Sequence, residues 1–84
     1  NLDNESLLSL FNWSEREFNE KTLGSPIKRI GYERWLRNLA VGLGNAPGCP
    51  EILESLKERK KESSSLLEEH ISWAIDEQTR KLSS

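Results

Sequence analysis

Apolar residues recur at helical spacing along most of this chain, and nothing alternates with the period of two that a half-buried strand needs. The clearest stripe starts at Tyr32 and runs through Trp35, Leu36, Leu39, Ala40 and Leu43, one face of an α-helix that must be buried. Arg34, Arg37 and Asn38 fall on the opposite face, and Glu33 stands four residues before Arg37, at a spacing that pairs charges on a helix. Gly44 and Asn45, followed by Pro47, predict the stop, because both residue types tolerate the left-handed conformation that ends many helices. Upstream, Ser25 as N-cap and Pro26 at the first helical position predict a short basic turn. Gly31 then breaks the direction before the main helix.

The remaining segments follow the same period. Residues 4–11 read as a short helix with Asn4 as cap and Leu7, Leu8 and Phe11 on one side. Ser14 and Glu17 have the reciprocal spacing of a capping box, and Trp13 and Phe18 occupy the two positions of a hydrophobic staple, so a helix runs from there to about Thr22 and ends at Gly24. Glu15, Glu17 and Glu20 make it acidic. Residues 46–50 form a turn, and Pro50 opens a helix that carries Ile52, Leu53 and Leu56 before passing into an exposed charged run over residues 57–62. After three serines, Ser65 and Glu68 make a second capping box. The last helix places Leu67, His70, Ile71, Ala74, Ile75 and Gln78 on one side, widened by Leu66 and Trp73, and is expected to fray after Thr79, leaving residues 80–84 loose. The fold class is therefore all-α, with five or six helices. Residues 38–43 and 70–75 match in their order of large, small and polar positions at an offset of about 32, a spacing that fits a short α-solenoid of HEAT type.

Composition sets bounds on this picture. At 84 residues the chain is one small domain or a piece of a larger protein, able to bury only a modest core. It begins at Asn1, which is compatible with such a piece. With 31% charged and 35% hydrophobic residues it suits a soluble helical domain better than a disordered tail. No run approaches the ~18 to 20 apolar residues that span a bilayer, and no signal segment opens the chain, so a soluble, intracellular protein is expected. The net charge of −2 hides a division: residues 1–20 carry −4, residues 21–41 carry +4 and residues 42–84 carry −2. A polyanion would have to be met at the middle block.

Catalytic motifs are missing from the sequence: there is no phosphate-binding glycine loop, dinucleotide fingerprint, His-Glu-x-x-His or Cys-x-x-Cys. A single cysteine, Cys49, excludes an internal disulfide and a four-thiolate metal site made by this chain alone. Cys49 reads as an ordinary loop thiol and His70, the one histidine, as a structural residue on its helix. Lys57, Arg59, Lys60 and Lys61, interleaved with Glu54, Glu58 and Glu62, read as a solvated helix end. Trp35 and Trp73 read as core and Trp13 as the staple. Lys28, Arg29, Arg34 and Arg37 leave two readings open. They converge on a phosphate backbone, or they form a solvated face whose arginines pair with Glu15, Glu17 or Glu20.

The segment GSPIKRIGYERWLRNLAVGLGNAP, preceded by FNWSEREF and followed by LLEEHISWAI, resembles the C-terminal region of the epoxyqueuosine reductases, over about Leu8 to Asp76. The resemblance implies a cytoplasmic bacterial enzyme that reduces epoxyqueuosine to queuosine in tRNA with cobalamin and two [4Fe–4S] clusters. It implies that this part is a small HEAT-like domain, monomeric, holding the tRNA anticodon stem-loop. By position, Lys28 and Arg29 match the family's basic pair, and Arg34, Arg37 and Asn38 its Leu-Arg-Asn segment, so these five are the RNA-binding residues it implies. Pro26 and Gly42 stand where the family often has alanine. The cysteine-rich cluster region, the cobalamin domain and the acidic catalytic residue are not in this chain, which on this resemblance has no cofactor or catalytic residue of its own and positions substrate. The rival expectation is a packing module, docked on the catalytic lobe of the parent chain without touching RNA.

Overall fold

In the computed structural model, which describes residues 4–83 and side chains from Leu7 onward, the helical stripes become five α-helices and one 3₁₀ helix. These are α1 (Asn4–Phe11), α2 (Glu15–Lys21), the 3₁₀ helix (Pro26–Ile30), α3 (Tyr32–Asn45), α4 (Pro50–Lys60) and α5 (Ser65–Ser83). No strand occurs among the described residues, so the chain is all-α. The expected cap at Asn4 rests on a side chain outside the described residues.

The core lies where α3 and α5 meet. Leu36, Leu39, Ala40 and Leu43 of α3 are buried with Phe11 of α1, Ile52 and Leu56 of α4, and Leu67, Ile71 and Ala74 of α5. Contacts at both ends fix the direction of the central pair. At the start, Ser64 Oγ donates to Glu33 Oε1 at 2.7 Å; at the finish, Gln78 Nε2 donates to the carbonyls of Leu43 at 2.7 Å and Ala46 at 3.1 Å. These partners are 31 to 35 residues apart, so α3 and α5 run parallel, and α4, which joins them in sequence, packs on α5. α1 runs antiparallel to α3, with Leu7 against Gly42 and Trp13 stacked on Trp35.

Several local expectations change for one physical reason, that a distant partner outweighs a near one. Gly44 does not end α3 by adopting a left-handed conformation; positive φ among the described glycines is confined to Gly24 and Gly31. Gly44 lies inside the helix, where a Cβ would stand 2.5 Å from the Trp73 ring and 3.1 Å from the Ala74 Cα. Its missing side chain lets α5 approach. The cap of α5 is Ser64, whose Oγ accepts from the Leu67 amide at 3.3 Å, so the box expected at Ser65 and Glu68 gives way to a cap one residue earlier that also reaches Glu33. Trp73 is 40% exposed and Leu66 47%; both were expected in the core, and they stand on its rim because Leu67, Ile71 and Ala74 take the inward positions.

The end of α5 does not fray at Thr79. Lys81 Nζ donates to the carbonyls of Gly44 and Ala46, each at 2.7 Å, and thereby caps α3. Gln78, fully buried, holds the turn that follows: besides Leu43 and Ala46 its amide reaches the Pro47 carbonyl at 3.4 Å, and its Oε1 accepts from the Cys49 amide at 2.9 Å. An exposed end would lack these bonds and unwind.

The two glycines of α3 give opposite expectations. Gly44→Ala forces the helices apart and is expected to lower unfolding free energy by about 1–3 kcal/mol in a urea titration. Gly42→Ala places its methyl at ordinary contact, 3.6 Å from Leu7, and is expected to raise it by about 0.5–1 kcal/mol through helix propensity. Equal effects would remove the close-approach role of Gly44. Gln78→Leu leaves the Cys49 amide without its partner and removes one donor each from the Leu43, Ala46 and Pro47 carbonyls, with an expected loss of about 1–3 kcal/mol in the same titration.

Candidate nucleic-acid interface

The basic block runs from the end of α2 through the 3₁₀ helix into α3, and each end of the 3₁₀ segment is held by aromatic packing. α2 begins with the complete capping box, Glu17 N–H to Ser14 Oγ at 3.1 Å and Ser14 N–H to Glu17 Oε1 at 3.2 Å. The staple is made through a third ring, since Trp13 stacks on Trp35 at 5.7 Å and Phe18 lies tilted against the same indole at 5.3 Å. Lys21 Nζ sits 5.0 Å over Trp13. At the end of α2 the buried Thr22 donates its hydroxyl to the Phe18 carbonyl at 2.6 Å, and Gly24, at φ 76°, turns the chain into Ser25. Ser25 Oγ accepts from the Ile27 amide at 3.3 Å, the expected cap.

On the far side, the first turn of α3 is tied to the loop after α1. The Tyr32 hydroxyl donates to the Trp13 carbonyl, and Arg59 Nη2 donates to the carbonyls of Phe11 at 2.9 Å and Trp13 at 3.1 Å. Arg59 was expected on a solvated helix end; instead its guanidinium lies 5.7 Å from the Phe11 ring and 5.9 Å from Tyr32. Only its reach across the fold distinguishes it from Lys57 and Lys60. Burial raises the Tyr32 pKa above its ordinary 10.0; the nearby Arg59 charge and hydrogen bond oppose the rise, and Glu15 and Glu62 add to it.

Within this frame Lys28 and Arg29 are exposed on the 3₁₀ helix and line an open concavity with Gly24, Ser25 and Pro26. Arg34 and Asn38 are exposed one turn apart on α3. Arg37 is half-buried, and its Nε, shielded from solvent, has no acceptor. The structure thus joins Lys28 with Arg29, and Arg34 with Asn38, while Gly31 links the two groups along the chain. None of the four cations forms an ion pair among the described residues. Glu33 bonds Ser64 and not Arg37, Glu20 pairs with Arg16 at 3.0 Å, and Glu17 serves the capping box. The expectation of arginines neutralised by Glu15, Glu17 or Glu20 therefore fails. Sequence reading also passed over the apolar flank of this surface: Leu23 is 69% exposed, and Ile27 and Ile30 are exposed on either side of the basic pair. The Ile-Lys-Arg-Ile order carried that signal.

Among the described residues no group of three or more His, Cys, Asp or Glu side chains is placed to hold a metal ion, and no helix is long and apolar enough to cross a membrane. The chain is 60% identical over 74 residues, 88% of its length, to an epoxyqueuosine reductase of Pseudomonas aeruginosa, of which it covers 20%. It is 54% identical, over 88% of its length, to an epoxyqueuosine reductase of Xanthomonas campestris, of which it covers 21%, and 55% identical, over 89%, to that of Escherichia coli, of which it covers 20%. It is thus homologous, over most of its length, to a segment of the epoxyqueuosine reductases, and spans about a fifth of the length of these relatives. No family model and no solved structure matches it significantly.

Tyr32 makes the anchor of α3 testable by pH. The phenol keeps its proton to a higher pH when folded, so above about pH 10 the unfolded chain binds fewer protons and stability falls as pH rises. Denaturant midpoints between about pH 9 and pH 11.5 are expected to fall more steeply for the parent chain than for Tyr32→Phe. Parallel slopes would show that the half-buried Tyr32 phenol does not couple its proton to folding.

Proposed function

We propose that this chain is the C-terminal helical domain of an epoxyqueuosine reductase, and that its basic block positions the anticodon stem-loop of tRNA for the reduction of epoxyqueuosine to queuosine elsewhere in the polypeptide. One observation carries the reading: Lys28, Arg29, Arg34 and Arg37 have no acidic partner among the described residues, although the chain holds 14 acids. Positive charge left uncompensated at one place in an acidic chain is the electrostatic footprint of a polyanion site. The arginines suit phosphate because a guanidinium offers paired donors. Asn38, exposed on the same face as Arg34, supplies a neutral hydrogen-bonding group beside them.

A HEAT-like arrangement is supported by the parallel course of α3 and α5, with α1 packed on α3 and α4 on α5, as in stacked helical hairpins. Positioning is the whole of the chemical contribution proposed here, since holding a reactant in register lowers the barrier for a reaction carried out by other groups. A [4Fe–4S] cluster takes four thiolates, and one cysteine does not fit it. Cobalamin and the clusters belong, on this reading, to the other four fifths of the enzyme, which would be a cytoplasmic, monomeric protein with the catalytic lobe as a second partner of this domain.

Fluorescence anisotropy of a labelled anticodon stem-loop, with an unrelated hairpin as control, tests the reading. Binding that favours the cognate loop is expected, weakening about 20- to 50-fold from about 50 to about 150 mM salt for four phosphate contacts. Each of Lys28→Glu, Arg29→Glu, Arg34→Glu and Arg37→Glu is expected to weaken binding, and neutralising one contact to lower the logarithmic salt slope by about 1. Affinity unchanged in all four variants would take RNA away from this surface.

A further inference from the structure

Trp73 presents aromatic surface at a place where the core does not use it. Two concavities meet at its ring, one formed with Val41, Glu69 and His70, the other with Glu68, Glu69 and Asp76. The ring is not free to fold away, because its edge lies against the Cβ-less Gly44. His70 Nδ1 donates to the Leu66 carbonyl at 3.0 Å, which holds the imidazole beside it. Val41, on α3, is exposed next to the indole. Glu69 and Asp76 stand four residues before and three after Trp73, on the same face of α5. With Glu68 they are exposed and have no ion pair among the described residues, and no lysine or arginine lines either concavity.

We propose that Trp73 is the floor of an arginine-receiving site. The negative face of an indole attracts a cation, and a planar guanidinium stacks on it while offering N–H groups outward, here to Glu69 and Asp76. Apolar neighbours of that arginine cover Val41. Phosphate is disfavoured by the three carboxylates, so the occupant is a protein segment and not RNA. Its source is the same polypeptide: about four fifths of the relatives' length lies outside the part this chain covers, and a tethered segment meets the site at high effective concentration. This assignment of source rests on the reading given under Proposed function; the arginine site itself does not.

Proton–nitrogen correlation spectra of the ¹⁵N-labelled chain test the site, with the Trp73 indole N–H identified by its loss in Trp73→Leu. The probe is the peptide acetyl-Ala-Leu-Arg-Leu-Ala-amide, with a citrulline counterpart of the same shape and no charge. The arginine peptide is expected to shift the Trp73 indole, with affinity about tenfold lower for citrulline and similarly reduced in the double variant Glu69→Gln, Asp76→Asn. Equal binding of the two peptides, no shift with either, or a shift of the indole by the stem-loop RNA would overturn the proposal. Backbone shifts of Lys28 and Arg34 on adding RNA are read in the same spectra, so the two readings fail separately. For the source, a photo-crosslinking residue at Ser72 in a full-length reductase polypeptide containing this domain is expected to give an intramolecular crosslink. Crosslinks only between molecules, or none, would overturn the assignment to the same chain.

Discussion

The C-terminal end of α3 is the constraint on which the rest of this fold depends. A helix leaves its last carbonyls without intrahelical partners, and a buried end must find them elsewhere. Here they are found on α5, where Gln78 serves Leu43, Ala46 and Pro47, and Lys81 serves Gly44 and Ala46. For two side chains three residues apart to reach that end, α5 must run parallel to α3 and stay helical beyond Thr79. For the helices to come close enough, position 44 must lack a side chain. The same Gln78 amide orders the Cys49 backbone and so sets where α4 begins. One small group of hydrogen bonds therefore determines the length of α5, the spacing of the core and the exposure of Trp73.

The opposite end of α3 is fixed by different means. Tyr32 and Arg59 share the carbonyls of Phe11 and Trp13, and the rings of Trp13, Phe18 and Trp35 lock together behind them. The 3₁₀ helix between α2 and α3 buries none of its own side chains, yet both of its neighbours are anchored. Lys28 and Arg29 are thus carried on a short exposed segment with fixed ends. Such a segment presents its charges with less entropy left to lose on binding than a free loop would have.

What could be read from the sequence divides along a physical line. The helices, the capping box at Ser14, the proline starts and the buried stripe of α3 depend on residues within four positions of one another, and local rules describe them. Arg59, Gly44, Gln78 and Lys81 act on partners 29 to 48 residues away, and Arg59 in particular is indistinguishable in sequence from the lysines around it. Glu33 shows the competition directly: an arginine stood at the favourable i, i+4 spacing, and the bond went to Ser64. An exposed ion pair is worth only ~0.3–0.5 kcal/mol, so a hydroxyl presented by the tertiary fold displaces it easily. At the candidate site, the residue types and their confinement to one block were legible, but their lack of acidic partners was not, because it depends on where each of the acids is used.

The two surfaces of α3 and α5 are close enough to influence each other. Arg34 and Val41 are seven residues apart on one helix, about 10 Å along its axis, somewhat more than the ~8 Å Debye length in physiological salt and well within that at low salt. Val41 borders the concavity that holds Glu69. At low ionic strength, where the Debye length reaches about 30 Å, the field of the exposed Glu68, Glu69 and Asp76 extends to the basic surface and opposes a phosphate there. A guanidinium seated on Trp73 cancels part of that field. On the two readings together, docking of the protein segment and binding of RNA favour one another, and by linkage the coupling is the same in both directions. On those readings a docked module would bind RNA more tightly than the module alone, most clearly at low ionic strength.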